Sequence, residues 1–593
     1  MVSGPSLLQG APENNYNNDG NHEVAHGNLK YVSEQAGNGS AVAYQEASGA
    51  PVEVESPLGY SVGAVTIIFL NLSKMVGTGI YSTPSTILLY TGSVGAALFY
   101  WFAGFVISTS SLSVYLEFAA YFPNRSGSEV VYLEQAYPRP KYFFPVAFAV
   151  TNVILSFNSS NSIVLAQYLY AISGKAPSDW AMKGIAVAGF SVAVLLLAFN
   201  TKWSYRFSNA IGIVKLLTLI FISITGLVVL GGHTRIENPT ANFKNAFEGQ
   251  ATPYGATTAL YRIIFSYAGY ENAFNVVNEV KNPVKTIRNY GSIALLLTAV
   301  LYILANIAFF AAVPKAELRE ADQIAASLFF RHVFGDGGAV RGLNFLSALS
   351  AFGNLVAVLI GQSRMIRECG RPSNEFACYR QGVLPFPRFW ASTRPFGTPL
   401  GPYLVIWVLT MLMILAPPAG DAFNFIVDLQ VYPRSVFNLA MAAGLFVVRY
   451  RRKRLNLPGP SFHAWSFVVA FNVLVNFYLI VMPWYPPPGG ATGGTVSFWY
   501  GTYIVTGLGV LIACGVYYWT WIYVLPKVRG YKIRQEVVIL DSGAKSHNLV
   551  KVPLDKIPEW DATHDALGRS IAGSTVDHSS EEGVQVEKHA GKV

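Results

Sequence analysis

The chain has 593 residues, of which 52% are hydrophobic and only 13% charged, and its mean hydropathy is +0.36. This composition excludes a soluble globular protein of this length. The formal charge of +9 could indicate a nucleic-acid binder, but no soluble stretch combines a basic groove with stacking aromatics, so we expect no nucleic-acid partner.

Apolar stretches long enough to cross a hydrocarbon core of about 30 Å recur along the chain. They predict an all-α polytopic membrane protein embedded in the lipid bilayer, with twelve transmembrane helices. The tails are polar, so residues 1–58 are predicted to be a disordered cytosolic tail, 59–530 the twelve-helix membrane domain, and 531–593 a cytosolic C-terminal tail. The predicted spans are roughly 60–89, 94–118, 142–171, 182–199, 207–231, 255–279, 291–313, 341–364, 399–416, 422–448, 464–484 and 498–525.

Lysine and arginine set the predicted orientation. About 19 of these residues fall in loops on the side of the N-terminus, against about seven on the other side. This positive-inside bias places both termini in the cytosol. We expect the plasma membrane as the location, and the cytosolic tails as docking sites for ubiquitin-ligase adaptors.

The first span is interrupted near its middle by glycines. Glycine there removes the steric cost of non-helical backbone and lets a ligand approach it. The free N–H groups and the dipole of the half-helix that follows suit a carboxylate, and a threonine adds a hydroxyl donor. Close helix packing is the alternative use of the glycines. The predicted substrate-binding residues of this break are Val76, Gly77, Thr78, Gly79 and Ile80.

The sixth span has a second interruption, and each broken span is the first of a predicted five-span block. Paired breaks at matching places in two halves point to a transporter binding site. Carbonyl groups at the end of the preceding half-helix could accept from an ammonium, so the two breaks together predict a clamp for a zwitterion. The predicted substrate-binding residues here are Phe265, Ser266, Ala268, Gly269 and Tyr270.

Large aromatic rings flank the second break. Phe265 and Tyr267 are the predicted gating residues, because a ring there could close over a ligand and exclude water. Ordinary packing explains each ring equally well.

Ionisable residues inside the predicted spans are costly and therefore point to function. Lys215 in span five is predicted to exchange a proton, unless it extends to the inner interface. Glu271 either serves the substrate or a proton, or caps the second half of span six. Arg262 could guard an outer vestibule. Asp428 and Arg434 in span ten lie six residues apart, which predicts a different partner for each.

Span three carries a run of polar side chains. Hydrogen bonding between helices is one use for such a run, and lining of a pathway is the other. The residues are Asn158, Ser159, Ser160, Asn161 and Ser162.

These motifs resemble those of the amino acid–polyamine–organocation (APC) superfamily of permeases. Gly77-Thr78-Gly79-Ile80 is similar to its span-one glycine motif, and residues 265–270 to its unwound segment of span six. Residues 278–283, 301–310 and 382–385 resemble its L-type amino acid transporter branch, and 269–286 resemble most the fungal high-affinity methionine permeases. The resemblance covers about residues 58–530.

The resemblance implies ten core helices in two inverted five-helix repeats, a LeuT-like core, with two peripheral helices. It implies an amino acid bound through its carboxylate by the first break and through its ammonium by both breaks. A lysine at the place of Lys215 implies proton symport, with the proton gradient as the only coupling agent and no cofactor. Glu271 and Arg262 depart from the common pattern.

Other classes fit less well. An enzyme would need a catalytic constellation at membrane depth, yet the sequence has no GxSxG, HExxH or phosphate-binding loop. The three cysteines match no metal-ligand spacing, so no metal is expected. A broader-specificity permease, an exchanger and a transporter-like nutrient sensor remain as alternatives, and a channel would need a repeated filter.

Overall fold

The computed structural model is mostly helical. It describes residues 15–16, 22–26, 29–34, 43–46, 60, 62–123, 128–174, 178–199, 201–321, 324–370, 384, 389–390, 392, 396, 398–418, 420–539 and 545–564. The resemblance motif at 382–385 therefore lies largely outside the described residues, as does the tail beyond 564.

Twenty α-helices follow one another along the described chain. They are α1 Ala64–Met75, α2 Gly79–Ser82, α3 Pro84–Thr91, α4 Val94–Tyr121, α5 Glu129–Ala136, α6 Phe143–Ile154, α7 Ser159–Ser173, α8 Asp179–Phe199, α9 Thr201–Leu230, α10 Pro253–Tyr267, α11 Pro283–Ala312, α12 Lys315–Glu320, α13 Ala325–Phe334, α14 Gly338–Gly370, α15 Leu400–Leu415, α16 Ala422–Arg454, α17 Ser466–Val481, α18 Thr502–Trp519, α19 Leu525–Arg529 and α20 Ile557–Thr563.

Short 3-10 and π segments join some of these helices. A 3-10 helix at Asn272–Glu279 continues the sixth predicted span after its break. Further 3-10 turns lie at Ala241–Phe243, Met482–Trp484, Gly490–Thr492 and Leu554–Lys556, and a π-helical turn at Thr520–Val524.

Within the described residues, ten helical stretches are long and apolar enough to cross a membrane. All twelve predicted spans coincide with helix, but α15 has only 16 residues, and the sixth span is α10 followed by its 3-10 segment. Span three, predicted as continuous, is divided between α6 and α7 by non-helical residues 155–158. The count of twelve spans and the inverted repeat therefore stay predictions.

The described parts of the tails contain strands. β1 Asn15–Tyr16, β2 His22–His26, β3 Leu29–Glu34 and β4 Ala43–Glu46 form an antiparallel sheet in that order. Valine and tyrosine in these segments favour strands, and backbone pairing satisfies their N–H and C=O groups. The division of the chain into tail, membrane domain and tail stays a prediction. After α19, β5 Tyr531–Ile539 pairs antiparallel with β6 Lys545–Pro553, with Tyr531 opposite Pro553.

The interrupted spans lie inside the bundle. α1 packs against α11 and α14, and α10 packs against α3, α4 and α16. α14 in turn packs along α7 and α9. Both breaks are therefore surrounded by other helices, which is the setting in which irregular backbone is tolerated at membrane depth.

Candidate functional site

The first break leaves backbone donors without acceptors. α1 ends at Met75, and the four-residue α2 begins at Gly79. The N–H of Gly77 donates to the carbonyl of Met75 at 2.8 Å. Among the described residues, the next three N–H groups, of Thr78, Gly79 and Ile80, find no acceptor, although all three residues are buried. Three consecutive buried donors at a helix start suit an anionic group such as a carboxylate, which is the use predicted for this break.

The second break requires glycine. α10 ends at Tyr267, and Gly269 has φ +130°, a conformation that other residues rarely adopt. A Cβ on Gly269 would lie 2.9 Å from the backbone nitrogen of Met75, so the second break packs directly on the end of α1. The carbonyl of Phe265 accepts from the N–H of Ala268 at 3.3 Å, and each carbonyl retains a second lone pair.

The two breaks touch each other at Gly79. A Cβ built there would lie 2.8 Å from both Cα and Oγ of Ser266. The hydroxyls of Thr83 and Ser266 lie 3.0 Å apart, and Thr83 also donates to the carbonyl of Gly79 at 2.8 Å. The glycines therefore allow close packing, because they bring the two breaks together. This packing is compatible with the predicted approach of a ligand.

Tyr302 of α11 joins both breaks. Its hydroxyl lies 2.6 Å from the carbonyl oxygen of Met75 and 3.1 Å from that of Ser266. Tyr302 was not among the predicted site residues, because the sequence of an apolar span does not indicate which distant carbonyl groups a tyrosine hydroxyl will contact.

Asn71 was also missed. Its amide group donates to the carbonyl of Tyr270 at 2.8 Å, and its carbonyl oxygen accepts from the N–H of Ala273 at 2.9 Å. Asn272 returns a bond to the carbonyl of Leu70 at 3.0 Å. Asn71 is fully buried, and the sequence signal that could have identified it was an asparagine within a predicted membrane span.

The hydroxyl of Thr78 bonds to the protein. It donates to Oδ1 of Asn161 at 2.7 Å, and Nδ2 of Asn354 donates to the same oxygen at 3.1 Å. Gly77 lies against this group, since a Cβ there would be 2.5 Å from Nδ2 of Asn354. The run of polar residues in span three thus supplies hydrogen bonds between helices, and Asn158 does the same through Gln362 at 2.7 Å.

The aromatic residues of the second break separate into two groups. Tyr267 is buried, donates to the carbonyl of Trp101 at 2.9 Å and packs against Tyr302 with ring centroids 5.3 Å apart. These contacts favour the packing interpretation for Tyr267 over gating. Phe265 is half-buried and meets the ring of Phe423 edge-on at 6.2 Å, and its role as a gate stays a prediction.

Lys215 is 2% exposed, so its side chain lies within the helix bundle. Its Nζ donates to the carbonyl of Ser73 at 2.9 Å. Ser73 lies in the last turn of α1, where carbonyl groups lack helical partners and carry the negative end of the helix dipole. The lysine therefore connects α9 to the first break.

Glu271 lies between two cations. Its carboxylate contacts Nζ of Lys74 at 3.2 Å and forms an ion pair with Arg434. It also accepts from the N–H of Gly269 at 2.9 Å. The carboxylate thus faces back toward the break and does not cap the 3-10 segment, for which no side-chain cap bond exists.

Arg262 is fully buried and pairs with Asp428, while its second terminal nitrogen donates to Asn424 at 3.0 Å. Asp428 and Arg434 have different partners, as their six-residue spacing predicts. Both of these ion pairs connect the sixth span to α16, one on each side of the second break.

The Arg262–Asp428 pair gives a stability prediction. Asp428→Ala leaves a buried guanidinium without its carboxylate, which should lower the free energy of unfolding by about 3–5 kcal/mol. The double variant Arg262→Met with Asp428→Leu removes both charges and should regain much of that loss. Thermal melting of the purified proteins in detergent measures both effects, and equal melting temperatures for the single and double variants would contradict this account.

Comparisons with known proteins identify the family of the chain. The family model described as "Amino acid permease" matches residues 62–510. The chain is 36% identical over 525 residues to the high-affinity methionine permease of Saccharomyces cerevisiae, covering 88% of this chain and 89% of that protein. It is 27% identical over 544 residues to the low-affinity methionine permease of the same organism, covering 90% and 96%.

A more distant relative is the human cystine/glutamate transporter, which is 26% identical over 415 residues, covering 69% of this chain and 78% of that protein. These matches confirm the resemblance predicted from the motifs. The family and these relatives are permeases and transporters, so the prediction that the chain is not an enzyme is also confirmed.

Proposed function

Because the chain belongs to the amino acid permease family, we propose that it imports a neutral, methionine-like L-amino acid across the plasma membrane by proton symport with alternating access. The three buried N–H groups of Thr78, Gly79 and Ile80 are the observation that carries this proposal. They need an acceptor, and a substrate carboxylate supplies one with the favourable charge at a helix start.

The second break supplies the other end of the clamp. Its carbonyl groups accept from the substrate ammonium, and the contact of Gly79 with Ser266 sets the distance between the two ends. Phe265 closes against Phe423 over the bound substrate. Contacts to both the carboxylate and the ammonium distinguish an amino acid from molecules that lack one of these two groups.

Coupling is assigned to Lys215. Protonated, it donates to the carbonyl of Ser73 and holds α1 against α9. Loss of the proton to the cytosol removes a charge-assisted hydrogen bond and favours inward opening. Glu271 lies between Lys74 and Arg434, so its role in this proposal is to connect the sixth span to α1 and α16. The proton gradient is the only coupling agent, and no cofactor takes part.

Orientation and regulation complete the proposal. Both termini lie in the cytosol, which places the Arg262–Asp428 pair on the external side of the second break and Glu271 on the cytosolic side. The tails then offer docking sites to ubiquitin-ligase adaptors from the cytosol.

Competition for uptake tests the clamp. Labelled methionine should enter cells that lack their own methionine permeases and express this protein. N-acetyl-methionine and methioninamide should not compete at tenfold excess, because each leaves polar groups of the site unsatisfied at a cost of about 1–3 kcal/mol or more. Strong inhibition by either compound would contradict a clamp for both ends. Uptake of all amino acids alike would favour a broad permease, and absence of uptake at normal surface expression would favour a sensor.

A further inference from the structure

A row of buried side-chain oxygens follows one side of α14. Asn344, Ser347, Ser350 and Asn354 are each at most 7% exposed. Among the described residues, Oδ1 of each asparagine and Oγ of each serine have no hydrogen-bond partner. At 100° per residue these four positions fall within about a third of the helix circumference and extend over about 15 Å.

The short helix after the first break reaches this row through one side chain. The hydroxyl of Tyr81 in α2 lies beside Ser350, although neither oxygen makes a hydrogen bond of normal geometry. We call these five residues the polar row: Tyr81, Asn344, Ser347, Ser350 and Asn354.

The polar row ends at the first break. Asn354 at its inner end donates to Asn161, and it is the side chain that a Cβ on Gly77 would meet. Asn344 at its other end lies two turns from the start of α14 at Gly338. The row therefore joins one end of the helix bundle to the residues just before the unsatisfied N–H groups.

Dry packing does not account for these atoms. A buried polar group left unpaired is destabilising, and five of them would cost an appreciable part of the stability of a domain. Buried groups of this kind are normally satisfied by ordered water, each molecule making about three hydrogen bonds. All five atoms are neutral oxygens, which suits water and offers no positive charge to an anion. The row is also longer than any amino acid side chain, so a bound substrate could not satisfy all of it.

We propose that the polar row holds a file of ordered water molecules leading to the first break. When no substrate is bound, these water molecules accept hydrogen bonds from the N–H groups of Thr78, Gly79 and Ile80. The purpose of the file rests on the proposed function, but its existence rests only on the unpaired oxygens.

Cysteine labelling tests the file. In full-length protein with Cys369, Cys378 and Cys514 replaced, Ser347→Cys and Ser350→Cys add a thiol of similar size. We expect a small, positively charged methanethiosulfonate added outside intact cells to modify both at least ten times faster than Val356→Cys. Val356 is the matched control, because it is equally buried and lies near the level of Asn354 on the opposite side of the helix. Equal rates at the three positions would overturn the proposal. The labelling needs no uptake, so its failure is distinguishable from failure of the proposed function.

Thermal melting gives a second test. If the row were dry, Tyr81→Phe would remove an unsatisfied hydroxyl and raise the melting temperature. With a water file, the variant should melt at the same temperature or lower, and a rise would overturn the proposal. A melting temperature that is higher in sodium salts than in choline salts, with the difference lost in Ser350→Ala, would identify a bound cation. That result would also overturn the proposal.

Discussion

Replacing Lys215 by alanine is expected to reduce accumulation of substrate against a gradient by more than about tenfold, while binding changes by only a few-fold. The variant removes the charged donor to the carbonyl of Ser73, and a hydrogen bond from a charged group contributes about 1.5–3 kcal/mol. A tenfold change corresponds to 1.4 kcal/mol. Uptake measured between about pH 5 and pH 8, with and without a protonophore, should also lose most of its dependence on external pH.

Two further variants make this result specific. Lys215→Arg keeps a cation that does not deprotonate, so it should bind substrate but fail to accumulate it in a pH-dependent way. Thr218→Val is the matched control, since Thr218 is buried one turn along α9 and its hydroxyl donates to the carbonyl of Val214 in its own helix. Wild-type accumulation by Lys215→Arg at every pH would show that this residue does not carry the proton.

Gly79→Ala should nearly abolish uptake without preventing surface expression. The added methyl group would lie 2.8 Å from Cα of Ser266, which is backbone and cannot rotate away. The two breaks would have to separate by several tenths of an ångström, and misplacement on the scale of 1 Å can reduce a rate about a hundredfold. Uptake of labelled methionine, corrected for surface protein, measures the effect.

Gly509→Ala is the control for this substitution. Gly509 lies in α18, and a Cβ there meets nothing within 4 Å, so uptake and expression should remain at wild-type levels. Full uptake by the surface-expressed Gly79→Ala protein would contradict the contact between the breaks as a requirement for transport.

The sequence predicts the two breaks because glycines interrupt apolar runs, and such interruptions are local. It also predicts that Asp428 and Arg434 have different partners, since helix geometry alone excludes a shared face. The partners themselves could not be predicted. Arg262 meets Asp428 across 166 positions of sequence, and only the packing of α10 on α16 brings them together.

The functions of Thr78 and Tyr267 show the limit of local reasoning. From the sequence, Thr78 was interpreted as a hydroxyl donor to a ligand and Tyr267 as a ring that closes over it. Thr78 instead bonds to Asn161, and Tyr267 to the carbonyl of Trp101. A hydroxyl in a helix bundle takes the acceptor that its neighbours present, and those neighbours come from distant parts of the chain. The division of span three was missed for a similar reason. Its polar run was interpreted as hydrogen bonding between helices, and the run has no glycine that would indicate a break.

The bonds of Asn71 and Asn272 have a consequence for motion. Together they join α1 to the segment after the second break by three hydrogen bonds to backbone, whereas Thr78 and Tyr81 on the far side of the first break bond to α7. The two halves of the first span are therefore held by different parts of the bundle, with Val76 and Gly77 between them. For the alternating access proposed above, we expect rotation about the backbone dihedrals of these two residues, while the hydrogen bonds on either side stay intact.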